Sequence, residues 1–198
     1  MINVSAKEVA DLRAKTGAGM MDCKKALVEA AGDEGKAIEI LKKKGALKAA
    51  KRAERETKAG VIESYIHANH KIGVIVEVLA ESDFVAKNDE FKELAHDIAL
   101  HIAAMNPQYI NKDDVPASEM DRVAGEFGAE LNDSGKPADI VKKIIDGKME
   151  KYFADVCLLY QPFVKDNTKT IEDLINEKIA KIGEKIIVSR FSRFEIGC

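Results

Sequence analysis

Apolar and polar residues alternate along 60–68 and again along 71–80, with Asn69 between them, and this period of two predicts a β-hairpin. Directly afterwards the period changes. Phe91, Leu94, Ala95, Ile98, Ala99 and Ile102 recur at the spacing of one helix face, which predicts a helix over about 89–105 that stops before Pro107. Between strand and helix lies Ser82-Asp83-Phe84-Val85-Ala86-Lys87-Asn88. A short corner between a sheet edge and a helix is a place where a rigid scaffold presents side chains to a partner. Phe84 at such a corner has two outlets. It folds back as a staple onto the following helix, or it stands clear as an apolar tip that gains free energy only inside another molecule's pocket. The local pattern leaves both open.

The first 45 residues read as three short helices. Ser5 and Glu8 form a capping box, the helix it opens carries Val9, Leu12 and Arg13, and Gly17 suits a left-handed exit. A second helix runs from Met20 or Met21 to Ala31 and is closed by Gly32. Asp33 caps a third, whose apolar face is Ala37, Ile38, Ile40 and Leu41 and which is expected to end at Gly45. Met20 and Met21 stand at a loop-to-helix corner, where flexible thioethers serve either a small core or a contact surface. The expectation is one methionine inside and one outside. Residues 46–59 are Ala-rich and basic, and a connecting helix is expected there. Farther on the pattern predicts a helix over 118–131, a turn at 133–137 with Pro137 in the first turn of a helix to about Gly147, and a strand over 156–160. A helix capped at Thr170 to about Ile182 and a final strand over 184–196 complete it. The expected fold class is α+β: an N-terminal three-helix domain over 1–45, a basic linker over 46–59, and a core domain of antiparallel sheet packed with helices over 60–198.

Composition narrows the function classes. Charged residues make up 33% of the chain, a soluble, helix-rich balance, and the net charge of −3 conceals a polarity. Residues 1–58 hold 14 Lys/Arg against 9 Asp/Glu, while the remainder is acidic. A basic head raises nucleic acid as a partner, but no aromatic interleaves the charges of 42–58 to stack on bases, so a solvated helical linker is the preferred reading. Cys23, Cys157 and Cys198 are far apart and odd in number, which fits a reducing cytoplasm and neither a disulfide framework nor a zinc site. Cys23 reads as a small buried hydrophobe. The first residues lack the apolar run of a signal peptide, and no stretch approaches the roughly 18 apolar residues of a membrane span. There is no Gly-x-x-x-x-Gly-Lys-Ser/Thr loop, no Gly-x-Ser-x-Gly and no His-Glu-x-x-His. His96 and His101 are five apart and do not share a helix face as an i,i+4 metal pair would. The chain reads as no enzyme and needs no cofactor.

Two stretches carry a family resemblance. Ser82-Asp83-Phe84-Val85-Ala86-Lys87-Asn88 closely resembles the Thr-Asp-Phe-Val-Ala-Lys signature of the bacterial translation elongation factor Ts family, with Ser for Thr at its first position. Leu12-Arg13-Ala14-Lys15-Thr16-Gly17-Ala18-Gly19-Met20-Met21-Asp22-Cys23-Lys24-Lys25-Ala26-Leu27 is similar, nearly residue for residue, to that family's N-terminal motif. The segments 161–166 and 190–197 also resemble it, and the three-helix head resembles a ubiquitin-associated domain. The resemblance covers nearly the whole chain. It implies a guanine-nucleotide exchange factor for the GTPase elongation factor Tu. Phe84 would wedge beside the Mg²⁺ and phosphate region, Asp83 would fix the corner by hydrogen bonds, and Ser82 and Val85 would shape it. Arg13, Met20 and Met21 would lie against the same domain of the GTPase. The chain passes from its first core helix directly into 103–110, which looks like the second subdomain of longer members. It therefore looks like the short form, which implies a homodimer through the core sheet and puts in doubt contacts that long members make through a coiled coil or tail. A generic binding module, with Phe84 in the core, is the rival; exposure of Phe84 and the methionines separates the two.

Overall fold

The computed structural model describes residues 4–131 and 137–197, so all of the expected turn at 133–137 except Pro137, and Cys198, lie outside the described residues. Three helices open the chain. Helix α1 (Ala6–Thr16) starts from the expected capping box: Ser5 Oγ accepts Glu8 N–H at 3.2 Å, and the Glu8 carboxylate accepts Ser5 N–H at 2.7 Å. It ends where Gly17, at φ +65°, turns its N–H back to the Arg13 carbonyl at 2.8 Å. Helices α2 (Met20–Glu29) and α3 (Glu34–Ala50) follow, and Asp33 caps α3 by accepting Lys36 N–H at 3.0 Å. Val9, Leu12, Cys23, Ala26, Leu27 and Ala37 close over one another as a small core of their own.

The second core is built on a sheet. Strands β1 (Ala59–Ile66) and β2 (Ile72–Ala80) form the expected antiparallel hairpin, in register from Ala59↔Ala80 to Ile66↔Gly73. A one-turn helix α4 (Asp83–Ala86) leads into α5 (Asp89–Met105). Helices α6 (Ala117–Leu131) and α7 (Ala138–Val156) pack on each other as a hairpin. Short strands β3 (Pro162–Phe163) and β4 (Asp166–Thr170) pair, helix α8 (Ile171–Ile182) follows, and β5 (Ile186–Glu195) returns antiparallel beside β2 to give the order β1-β2-β5. The α+β class read from the sequence is the one observed.

Alternation decides which face is covered. Val74, Val76, Val78 and Ala80 of β2 point inward onto α5, whose Phe91, Leu94, Ala95, Ile98 and Ile102 are fully buried. Ile171, Leu174, Ile175 and Ile179 of α8 complete the layer. Among the described residues no helix covers the other face of the sheet. There Ile62, Ile66, Ile75 and Phe194 are all exposed, with Ile66, Gly73 and Phe194 in one cross-strand row.

Three local expectations are corrected. Helix α3 does not stop at Gly45 but runs five residues farther, because Gly45 is the point of crossing with α8: a Cβ there would meet the Asn176 carbonyl at 3.6 Å and Ala180 at 3.9 Å. The glycine lets two helices approach and does not terminate one. Helix α7 runs past Gly147 to Val156, and Gly147 sits on its exposed face, where a Cβ would meet nothing within 4 Å among the described residues. The apolar run 156–160 is no strand. It holds one bridge between Tyr109 and Cys157 and then a 3-10 turn, Leu158–Tyr160, that buries Leu158. A short apolar run has no periodicity by which to tell these apart.

The basic stretch is largely taken up in internal pairs. Lys42 meets Asp173 at 3.5 Å, Lys44 meets Glu29 at 2.8 Å, Lys48 meets Asp22 at 2.9 Å, and Arg55 meets Glu81 at 3.1 Å. Each exposed pair contributes at most about 1 kcal/mol; Lys42–Asp173 and Arg55–Glu81 run to the sheet domain, while Lys44–Glu29 and Lys48–Asp22 run back to α2.

Candidate partner-binding site

The corner after β2 is built from inside outward. Val85 and Ala86 are buried under α4, so the four-residue helix sits on the core by two of its side chains. Phe84, between them and Asp83, is 83% exposed. It is no staple. A helical turn rotates each successive side chain by about 100°, so anchoring Val85 and Ala86 inward turns Phe84 out. Ser82 caps the turn: its Oγ accepts Val85 N–H at 3.4 Å and donates to Glu184 Oε1 at 2.7 Å, while Ser82 N–H donates to Glu184 Oε2 at 3.0 Å. The Asp83 carboxylate is exposed and makes no hydrogen bond within the described residues, so the bonds expected of Asp83 are made by Ser82. Asn88 then caps α5 by accepting Glu90 N–H at 2.9 Å.

The N-terminal corner shows a parallel arrangement. Met20 and Met21 are 46% and 61% exposed, and the expectation that one would enter the core fails. The inward stripe of α2 is Cys23, Ala26 and Leu27, and it fills the small bundle. Met20 lies a turn ahead of that stripe and overhangs the end of α1. There Met20 and Arg13 line a shallow recess with Ala10, Ala14, Gly17 and Lys181. Arg13 is exposed.

The end of α8 joins the two corners. Gly17 stands against it, since a Cβ there would be 3.9 Å from the Lys181 side chain. Lys181 Nζ donates to Glu90 Oε1 at 2.6 Å, and Glu184, just past the helix, holds Ser82. The recess of Arg13 and Met20 and the turn carrying Phe84 therefore flank one helix end, although 62 residues separate Met20 from Ser82 in the chain. Lys181 and Glu184 were missed by sequence reasoning. Both read as ordinary solvated charges, and no local pattern marks a carboxylate that will meet a serine 102 residues away.

Two buried titratable side chains, His101 and Cys157, are held neutral. His101 is fully buried: Val164 N–H donates to Nδ1 at 3.2 Å and Nε2 lies 3.0 Å from Gln161 Oε1, which fixes a neutral imidazole with its hydrogen on Nε2. Burial holds its pKa below the ordinary histidine range. Burial likewise pushes the Cys157 thiol up to about 11, away from the thiolate a nucleophile needs. Among the described residues no three His, Cys, Asp or Glu side chains gather to hold a metal ion, and no helix is long and apolar enough to cross a membrane.

Taken together, the chain is a two-core α+β protein that holds apolar side chains clear of both cores at one end, around the terminus of a single helix. A sequence profile of the family "Elongation factor TS" matches residues 5–198. Elongation factor Ts of Fervidobacterium nodosum is 55% identical over 196 residues, covering 99% of this chain and 100% of the relative. Those of Thermosipho melanesiensis and Herpetosiphon aurantiacus are 53% and 51% identical, each over at least 98% of this chain and 99% of the relative. The chain belongs to the elongation factor Ts family of translation elongation factors.

Proposed function

We propose that this protein is a guanine-nucleotide exchange factor that binds elongation factor Tu in its GDP-bound and nucleotide-free forms and accelerates GDP release. The observation that carries the reading is Phe84, a large apolar side chain 83% exposed on a turn whose neighbours are locked into the core. Exposed alone, such a side chain contributes nothing; burying it in a partner's pocket is worth roughly 1.5–3 kcal/mol. That gain is available for prising open a Mg²⁺ and phosphate site that otherwise holds GDP. Arg13, Met20 and Met21 provide a second contact, a cation beside two polarizable thioethers. No bond is made or broken. Factor and nucleotide weaken each other's binding by the same ratio, so incoming nucleotide expels the factor in turn. The work belongs to the cytoplasm, where translation takes place.

The outward sheet face supports a homodimer. Ile62, Ile66, Ile75 and Phe194 lie side by side on three strands with no helix over them among the described residues, and a twofold mate offers the same surface back.

The test is release of a fluorescent GDP analogue from purified elongation factor Tu, followed by stopped flow with and without the chain. Acceleration that saturates with factor concentration is expected. A release rate unchanged at micromolar factor would refute the reading and leave a binding module of other specificity.

A further inference from the structure

Residues 81–82 and 184–185 grip each other in both directions. The Glu184 carboxylate accepts Ser82 N–H at 3.0 Å and Ser82 Oγ–H at 2.7 Å, and the Glu81 carboxylate accepts Lys185 N–H at 2.6 Å. The β2–β5 ladder ends at Ala80↔Ile186, so these bonds add one more rung with carboxylates in place of backbone carbonyls. Lys185 Nζ extends the tie to the linker, donating to the carbonyls of Ala53 at 2.6 Å and Arg55 at 2.8 Å, and Arg55 returns to Glu81.

The rung ends at the turn that bears Phe84. Ser82 Oγ, held by Glu184, is the acceptor for Val85 N–H in the first turn of α4. A helix of four residues does not hold itself, because nucleation fixes several dihedrals for one hydrogen bond. Two things give this one a direction: Val85 and Ala86 beneath it, and Ser82 in front of it. Burial of Val85 and Ala86 decides that Phe84 faces outward, but hydrophobic contact fixes no single geometry, so by itself it leaves the turn free to tilt and shift on the core. The two carboxylate oxygens meet two donors of one residue, and that pair fixes Ser82 in both position and rotation.

We infer that Glu184 is the positioning residue for the Phe84 tip. It acts through Ser82, not by touching the partner, and sets where Phe84 points when the chain meets the GTPase. This role rests on the exchange reading above.

The experiment is saturating GDP-release kinetics with the full-length protein, comparing the unmodified chain, Glu184→Ala, Glu184→Gln, Phe84→Ala and the double variant Glu184→Ala/Phe84→Ala. Loss of both charge-assisted hydrogen bonds to Ser82 predicts that Glu184→Ala lowers the saturating rate at least about tenfold while shifting the half-saturating concentration less than about twofold, since the Arg13–Met20 recess is intact. Glu184→Gln keeps one acceptor oxygen and recovers part of the rate. The double variant is no slower than Phe84→Ala alone, because Glu184 works only through that side chain. In the free protein, amide hydrogen exchange at 82–87 quickens in Glu184→Ala while the centre of α5 is unchanged. If Glu184→Ala keeps the full saturating rate, or if the two single losses multiply in the double variant, or if amide exchange at 82–87 is unaltered, the role is overturned and the exchange reading survives. If the unmodified chain itself fails to accelerate release, the exchange reading falls and this role falls with it.

Discussion

Phe84 and Phe91 lie seven residues apart and have opposite surroundings, which makes them a matched pair of perturbations. Phe84 is 83% exposed and Phe91 is fully buried against the sheet. Phe84→Ala removes atoms that touch water, so the free protein's stability should change by no more than about 0.5 kcal/mol. On the proposed exchange reading, the same deletion removes the apolar area that Phe84 would bury in the partner, roughly 1.5–3 kcal/mol for a Phe side chain. Converted at about 1.4 kcal/mol per decade, that is a ten- to hundredfold loss in stimulated GDP release. Phe91→Ala should do the reverse. It opens a cavity among Leu94, Ile98 and the valines of β2, at a cost of about 3–5 kcal/mol. For a domain of this size each kcal/mol moves Tm by about 2–4 °C, so a fall of roughly 6–20 °C is expected. The assays are stopped-flow release from elongation factor Tu and thermal unfolding of each variant alone. If Phe84→Ala lowers Tm as far as Phe91→Ala does, Phe84 is a structural residue and the reasoning is refuted. If Phe84→Ala leaves both Tm and exchange intact, the contact has been assigned to the wrong side chain.

Phe194→Asp places a charge on the uncovered sheet face and should shift sedimentation from dimer to monomer without lowering the helix content; an unmodified chain that sediments as a monomer would remove the basis for the dimer. Gly60→Ala should destabilise by about 1–3 kcal/mol, because its Cβ would fall 2.3 Å from the Val78 carbonyl oxygen, whereas Gly125→Ala on α6, with open space around it, should stabilise by up to about 1 kcal/mol; equal melting temperatures would contradict the contrast. His101 is neutral and buried in the folded chain with its pKa depressed, so unfolding at acidic pH takes up a proton that the folded state refuses. Its contribution to stability is therefore present above the unfolded value of about 6.5 and is lost as pH falls from there toward the lower folded pKa. An NMR titration should show its ring protonating only below the ordinary histidine range, and a His101 resonance titrating near 6.5 would overturn the assignment.

Much of the fold was legible because its signals are local. Capping at Ser5, Asp33 and Thr170, the apolar face of α5 and the alternation of β1 and β2 each depend on residues within a few positions of one another. The misreadings share a cause. Gly45 looks like a stop within its own helix and is a crossing point only because α8 is there. The run at 156–160 is apolar enough for a strand, yet its place beside Tyr109 makes it the end of a helix, one bridge and a 3-10 turn. Methionines 20 and 21 could have filled the bundle had Cys23, Ala26 and Leu27 not already done so.

The sequence by itself determined the α+β class, the corner bearing Phe84, the loop bearing Met20 and Met21, and the family whose signatures those stretches carry. All of these rest on periodicity, capping or contiguous motif, which act over one or two helical turns. Which way Phe84 faces was decided by tertiary structure alone, because its direction follows from Val85 and Ala86 being drawn under the turn and from Glu184 holding Ser82. The same holds for the meeting of the two corners at the end of α8. Residues so far apart in the chain come together only when the sheet closes and α8 packs across α3, and no local preference encodes an encounter of that range.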